Sequence, residues 1–191
     1  MNIVVLSGSP RKGGNTAIMV EAFKEGAESA GHAVEVVDVA ARKISPCRAC
    51  KHCFSHGGDC AIPDDMAEIR ESLKRADMLV FASPIYWFDV SAQLKLAIDR
   101  MYAFGGCGFP FSKVALLLDS GSDGVYDAAI AAYKAMNSYL KWEDMGIVAI
   151  PGMLEKGDMA ASPKLAEARP RGLAARLAAA AAEPPRSVAD V

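Results

Sequence analysis

Met1-Asn2-Ile3-Val4-Val5-Leu6-Ser7-Gly8-Ser9-Pro10-Arg11-Lys12-Gly13-Gly14-Asn15-Thr16 opens the chain, and its reading decides the fold. Ile3 to Leu6 is an unbroken apolar run of strand length, the pattern of a strand covered on both faces. Ser7 to Gly14 is short, polar and rich in glycine. Beyond it Ile18, Met19, Ala22, Phe23 and Ala30 recur at helical spacing until Gly31 supplies a stop. Strand, turn and amphipathic crossover helix follow one another, with Asn15 or Thr16 expected as the helix cap.

The same unit recurs along the chain. Further apolar runs rich in Val, Ile and Leu cover Val34 to Val39, Met78 to Ala82, Val114 to Leu118 and Ile147 to Ile150. Between them lie apolar stripes with helical period: Met66, Ile69, Leu73 and Ala76 after an acidic start at Asp64 and Asp65; Leu94, Ala97, Ile98, Met101 and Tyr102; and Tyr126, Ile130, Tyr133 and Leu140. Strands alternating with helices predict an α/β fold with a five-stranded parallel sheet covered on both faces. The alanine-rich stretch from Pro163 to Ala182 reads as a terminal helix that Pro170 and Gly172 kink or split.

A chain of 191 residues suits one core, so a single domain is expected over 1–182, followed by a tail at 183–191. Hydrophobic residues are 52% and charged residues 23%, with a formal charge of −2, so neither nucleic acid nor an acidic membrane surface is an expected partner. The first strand is preceded by no basic segment, carries no cleavage site and is far too short to span a membrane, which reads as a cytoplasmic protein.

In such sheets ligands lie beyond the carboxyl ends of the strands, so the loops there carry the function. The Ser7 to Thr16 loop meets the N-terminus of its helix and reads as an anion seat, with Ser9, Arg11, Gly14, Asn15 and Thr16 as the candidate phosphate-binding residues. It is neither a Walker A loop, which would need Lys at 14 and Ser or Thr at 15, nor a Gly-x-Gly-x-x-Gly dinucleotide fingerprint. The third strand runs into Ser83-Pro84-Ile85-Tyr86-Trp87-Phe88. Pro84 is expected to stiffen a turn there, while Ile85, Tyr86 and Trp87 present backbone N–H groups and flat faces suited to a flavin ring. Ser120 and Gly121, after the fourth strand, are candidates for the ring edge. No nucleophile elbow or hydrolase triad is present, and no catalytic side chain is assigned.

Cys47, Cys50, Cys53 and Cys60 fall within fourteen residues, in a cysteine-rich loop at 44–63. A Cys-x2-Cys-x2-Cys run with a fourth, more distant cysteine suits a [4Fe–4S] cluster. Zinc, with His52 and His56 close by, and a loop of reduced thiols are the alternatives. The fourth cysteine is expected to fold back through a flexible His56-Gly57-Gly58-Asp59 segment. Cys107 reads as an incidental loop thiol.

Gly8-Ser9-Pro10-Arg11 with Gly14-Asn15-Thr16, then Ser83-Pro84-Ile85-Tyr86, then Ser91-Ala92-Gln93-Leu94-Lys95 with Asp99-Arg100, resemble the flavodoxin-like NAD(P)H-dependent FMN reductases. The cysteine spacing is similar to that of their iron-sulfur flavoprotein branch. The resemblance covers about residues 1–150 and implies a doubly wound sheet in the order 2-1-3-4-5. It also implies noncovalent FMN and a homodimer or homotetramer with its interface near the flavin. The function expected is an oxidoreductase passing electrons from NAD(P)H through FMN to a small-molecule acceptor; the alternative is an electron carrier whose cluster exchanges single electrons with a ferredoxin-like protein. On this pattern Ser9, Arg11, Asn15 and Thr16 match the phosphate loop and Pro84 to Trp87 the segment beside the ring, with Ser120 and Gly121 a weaker transfer.

Overall fold

The computed structural model describes residues 1–168. In chain order the elements are β1 (Asn2–Ser7), α1 (Asn15–Ser29), β2 (Ala33–Asp38), α2 (His52–Ser55), α3 (Met66–Lys74), β3 (Met78–Tyr86), β4 (Asp89–Val90), α4 (Ala92–Arg100), β5 (Lys113–Asp119), α5 (Asp127–Leu140), β6 (Glu143–Ile150), α6 (Asp158–Ala161) and α7 (Leu165–Ala168). Five strands pair in parallel in the order β2-β1-β3-β5-β6. Set aside β4, which pairs antiparallel with the end of β3, and this is the expected 2-1-3-4-5 of a flavodoxin-like sheet. The kink expected at Pro170 and Gly172, and most of the expected terminal helix, lie outside the described residues.

Alternation along each strand explains the two-sided core. Val4, Leu6, Leu79, Phe81 and Leu116 face a layer containing Leu73 of α3, Leu94 of α4 and Tyr133 of α5. Their neighbours Ile3, Val5, Met78, Val80 and Leu117 face Met19 and Phe23 of α1 together with Met159 of α6. Leu6, Phe23, Leu79 and Leu94 are buried almost completely, and each such side chain contributes about 1.5–3 kcal/mol by leaving water.

The boundaries show where an apolar-run reading falls short. β3 continues four residues past Ala82, so Ser83 to Tyr86 is strand and the turn falls at Trp87 and Phe88 rather than at Pro84. Pro84 is tolerated because β1 has ended opposite Ala82, and Pro84 itself occupies the last β3–β5 rung, opposite Asp119. β6 begins four residues before Ile147, since Glu143 and Asp144 pair with Lys113 and Val114 before a bulge at Met145. Polar edge residues hid that start; Glu143 forms an ion pair with Lys113 at 2.9 Å. Asn15 and Thr16 lie inside α1, whose cap is Gly14 without a side-chain bond. Gly31, at φ 83°, follows the helix end as expected.

Candidate functional site

Three loops meet at the crest where β1, β3 and β5 end, and hydrogen bonds weld them. The Gly8 N–H donates to the Ala82 carbonyl at 2.8 Å, and the Ser91 hydroxyl donates to the Gly8 carbonyl at 2.6 Å. A β-carbon on Gly8 would stand 2.5 Å from Leu94 Cβ, so only glycine lets this loop cross the start of α4. Ser91 caps α4 by accepting from the Leu94 N–H at 3.2 Å, and its own N–H donates to the Ser83 hydroxyl at 2.8 Å.

Gly14 closes the first loop by donating to the Arg11 carbonyl at 3.0 Å. The first bond along α1 runs from Ile18 N–H to Gly14 O, leaving the N–H groups of Asn15, Thr16 and Ala17 without partners in the helix. That end of a fifteen-residue helix carries the positive pole of its dipole. Arg11 is exposed, with Nη1 3.2 Å from the Leu154 carbonyl, while half-buried Ser9 accepts from the Arg11 N–H at 3.3 Å.

Asn15 and Thr16 are buried and committed to other loops. The Asn15 amide donates to the carbonyls of Met153 at 3.2 Å and Glu155 at 2.8 Å, and accepts from the N–H groups of Gly157 at 3.0 Å and Met159 at 3.2 Å. All four of its bonding positions are used, so Asn15 anchors the segment after β6 to the crest. Thr16 donates its one hydroxyl hydrogen to Asp119 Oδ1 at 2.6 Å. Asp119 is 4% exposed, and burial pushes its carboxyl up to about 6, against the Thr16 bond and the positive charge of Arg11.

Sequence reading missed this segment after β6 and the buried Asp119. Gly152 and Gly157, both at positive φ, flank the segment, and its place after the fifth parallel strand was the available signal. At the end of β5, Ser120 bonds the Tyr126 hydroxyl at 2.8 Å and donates to the Ser122 carbonyl. Gly121 packs under Leu154, whose Cδ1 would lie 3.0 Å from an added β-carbon.

The hairpin joining β3 to β4 holds Trp87 at φ 50° and Phe88 at φ 69°. Two central residues at positive φ make the tight turn whose twist matches its strands. Trp87 is 93% exposed, Tyr86 and Phe88 are partly exposed, and Ile85 is buried.

The cysteine loop is tied at both ends. Asp65 accepts from the Lys43 N–H and Asp64 from the Ser45 N–H, each at 2.8 Å. Cys47, Cys50, Cys53 and Cys60 line one small cavity together with Arg100. Cys53, on α2, is buried; burial pushes its thiol up, as does the negative charge of the other three cysteines. Arg70 holds the His56-Gly57-Gly58-Asp59 segment, bonding Asp59 at 2.6 Å and the Gly57 carbonyl at 3.2 Å, so the stretch expected to be flexible is pinned. Among the described residues, no three His, Cys, Asp or Glu side chains converge as one metal ion requires. Zinc with its sulfur bonds of about 2.3 Å needs thiols within about 4 Å of one another, whereas a four-iron cluster is held from its corners. His52 and His56 stack on each other at 3.6 Å and do not line the cavity.

A doubly wound sheet with a glycine-rich loop at a helix N-terminus, an aromatic hairpin and a polar loop along one crest defines a flavodoxin-like domain. The family model for NADPH-dependent FMN reductase matches residues 1–156, and the chain belongs to that family. It is 36% identical over 140 residues to an "Iron-sulfur flavoprotein" of Archaeoglobus fulgidus, covering 72% of this chain and 71% of that one. A second protein of the same name and organism is 39% identical over 105 residues, covering 55% of this chain and 47% of the relative, so the match spans about half that relative's length. Among solved structures, the "NAD(P)H:quinone oxidoreductase from Methanothermobacter marburgensis" superposes with a TM-score of 0.73 at 24% identity, covering 91% of this chain and 94% of that one. That likeness is one of fold. Among the described residues, no helix is long and apolar enough to cross a membrane.

Proposed function

We propose that the crest holds FMN and that the protein is an oxidoreductase moving electrons from NAD(P)H through bound FMN to an acceptor, small molecule or protein. The observation that carries this reading is the junction itself: a helix N-terminus whose first N–H groups have no acceptor within the helix, an exposed arginine and an exposed aromatic turn lie on loops bonded to one another. The residues fit the group. Backbone N–H groups of Asn15 and Thr16, with Ser9 and Gly14 of the same loop, would surround the phosphate, and Arg11 would exchange its single bond to Leu154 for the phosphate oxygens. Tyr86 and Trp87 would cover a ring face, Pro84 and Ile85 would set the strand end beside it, and Ser120 and Gly121 would border its edge. Bound FMN supplies hydride acceptance and release of electrons singly or in pairs, while the protein supplies orientation and electrostatics.

Replacing Arg11 by alanine tests the reading, since its guanidinium is the side chain free to turn to the phosphate while the Thr16 hydroxyl is committed to Asp119. FMN binding, followed by quenching of flavin fluorescence, is expected to weaken at least tenfold, and NAD(P)H oxidation at sub-saturating flavin should fall with it. Undiminished binding would refute the phosphate seat.

A second reading is favoured by the four cysteines around one cavity: Cys47, Cys50, Cys53 and Cys60 hold a [4Fe–4S] cluster, and the protein exchanges single electrons with a ferredoxin-like partner. Protein prepared anaerobically should then contain about four irons and four acid-labile sulfides per chain; none would leave only the FMN reading. Exposed Trp87 beside the crest suits a homodimer or homotetramer whose interface lies near the flavin; a cytoplasmic place goes with the redox family to which the chain belongs.

A further inference from the structure

Arg100 ends α4 on the wall of the cysteine cavity, and its guanidinium is almost wholly buried, the side chain being 1% exposed. Nη1 donates to Asp64 Oδ2 at 2.6 Å and to the Ser45 carbonyl at 2.9 Å. Nη2 donates to Cys60 Sγ at 3.3 Å, and Nε has no partner among the described residues. Asp64, 8% exposed on its side chain, takes the Ser45 and Met66 N–H groups as well, so one carboxylate holds both flanks of the loop and the arginine behind it.

A buried guanidinium is costly and is retained where its donors are used. Asp64 balances the charge of Arg100, yet one arm of the fork turns from that carboxylate to a sulfur. An N–H donor aimed at a cluster sulfur withdraws negative charge and favours the more reduced state, and such bonds are among the determinants of cluster potential. The other basic side chains on the cavity wall, Arg48 and Lys51, belong to the loop itself, whereas Arg100 sits on a helix packed into the core. Its reach to Cys60 is therefore fixed by the fold.

We propose that Arg100 is a positioning and potential-setting residue for the cysteine-bound cluster: its hydrogen bond to Cys60 raises the reduction potential, and Asp64 limits the rise. The inference rests on the reading that the cavity holds a cluster. It adds no electron of its own; the one-electron reduction draws on the flavin or, in the test, on dithionite. Arg100 retains its proton throughout.

The experiment compares wild type with Arg100→Gln, Arg100→Lys and Asp64→Asn, each reconstituted anaerobically with iron and sulfide, assayed for both, and titrated with dithionite under electron paramagnetic resonance. Arg100→Gln should give a cluster of lower potential than wild type, with Arg100→Lys between them because the charge remains without the fork. Asp64→Asn should move the potential upward, since the cation then lacks its balancing charge. Purely structural anchoring would not give shifts of opposite sign. Equal potentials in cluster-bearing wild type, Arg100→Gln and Asp64→Asn overturn the inference and leave the cluster standing. Wild type without iron removes both. If Arg100→Gln is insoluble, the Arg100→Lys potential decides: a value below wild type supports the inference and an unchanged value overturns it.

Discussion

Asp119 shows how one buried residue sets a pH dependence. Its carboxyl titrates at about 6 in the folded protein against an ordinary 3.8, because burial disfavours the charge more than Thr16 and Arg11 restore it. In the folded state the proton is therefore held to higher pH than in the unfolded chain, and stability present below pH about 4 is lost as pH rises to about 6. The shift corresponds to at most about 3 kcal/mol. Asp119→Asn keeps an acceptor for Thr16 but carries no charge. The stability difference between variant and wild type, measured by urea unfolding, should grow across that window and level off above it, with the variant the more stable. A constant difference from pH 4 to 7 would contradict the assignment. None of this could be read from Asp119-Ser120-Gly121-Ser122, a polar string in which the aspartate looks like any solvated loop acid; its burial comes from α1 packing across the end of β5.

Among the elements, the β3–β4 hairpin spends stability at a place suited to function. Trp87 and Phe88 both occupy left-handed backbone, where bulky side chains cost about 1–3 kcal/mol apiece. Asparagine and glycine are the usual occupants of such turns. Relief of that strain, less the unfolded-chain entropy that glycine adds, should stabilise a variant with Asn and Gly at positions 87 and 88 by about 2 kcal/mol, raising the thermal midpoint by several degrees. The same change should weaken FMN binding, because the aromatic face is gone. A variant that gains stability and binds FMN as tightly as wild type would take Trp87 away from the ring. Periodicity located β3 but not its last four residues, since Ser83 and Pro84 read as the close of a run; pairing with β5 and with β4 carries the strand through them. β4 itself is two residues long and leaves no periodic trace.

At the scale of the molecule, the crest and the cysteine cavity are assembled from different loops on one sheet, joined through α4, whose first turn caps against Gly8 and whose last residue reaches Cys60. Loss of one site should leave the other. Serine at Cys47, Cys50, Cys53 and Cys60 should abolish iron binding in anaerobically reconstituted protein while FMN affinity stays within about threefold; a collapse of flavin binding would show the two sites to be one folding unit. Sequence alone determined the parallel sheet, its strand order through the family pattern, and the grouping of the four cysteines that line one cavity, because apolar periodicity, glycine placement and thiol spacing are local properties of the chain. Tertiary structure alone decided that the Asn15 amide and Thr16 hydroxyl are spent on the protein, that Asp119 is buried, and that Arg100, forty residues from Cys60, bonds its sulfur. Those depend on which side chains meet across the sheet, and a hydrogen bond between distant residues leaves no spacing to read.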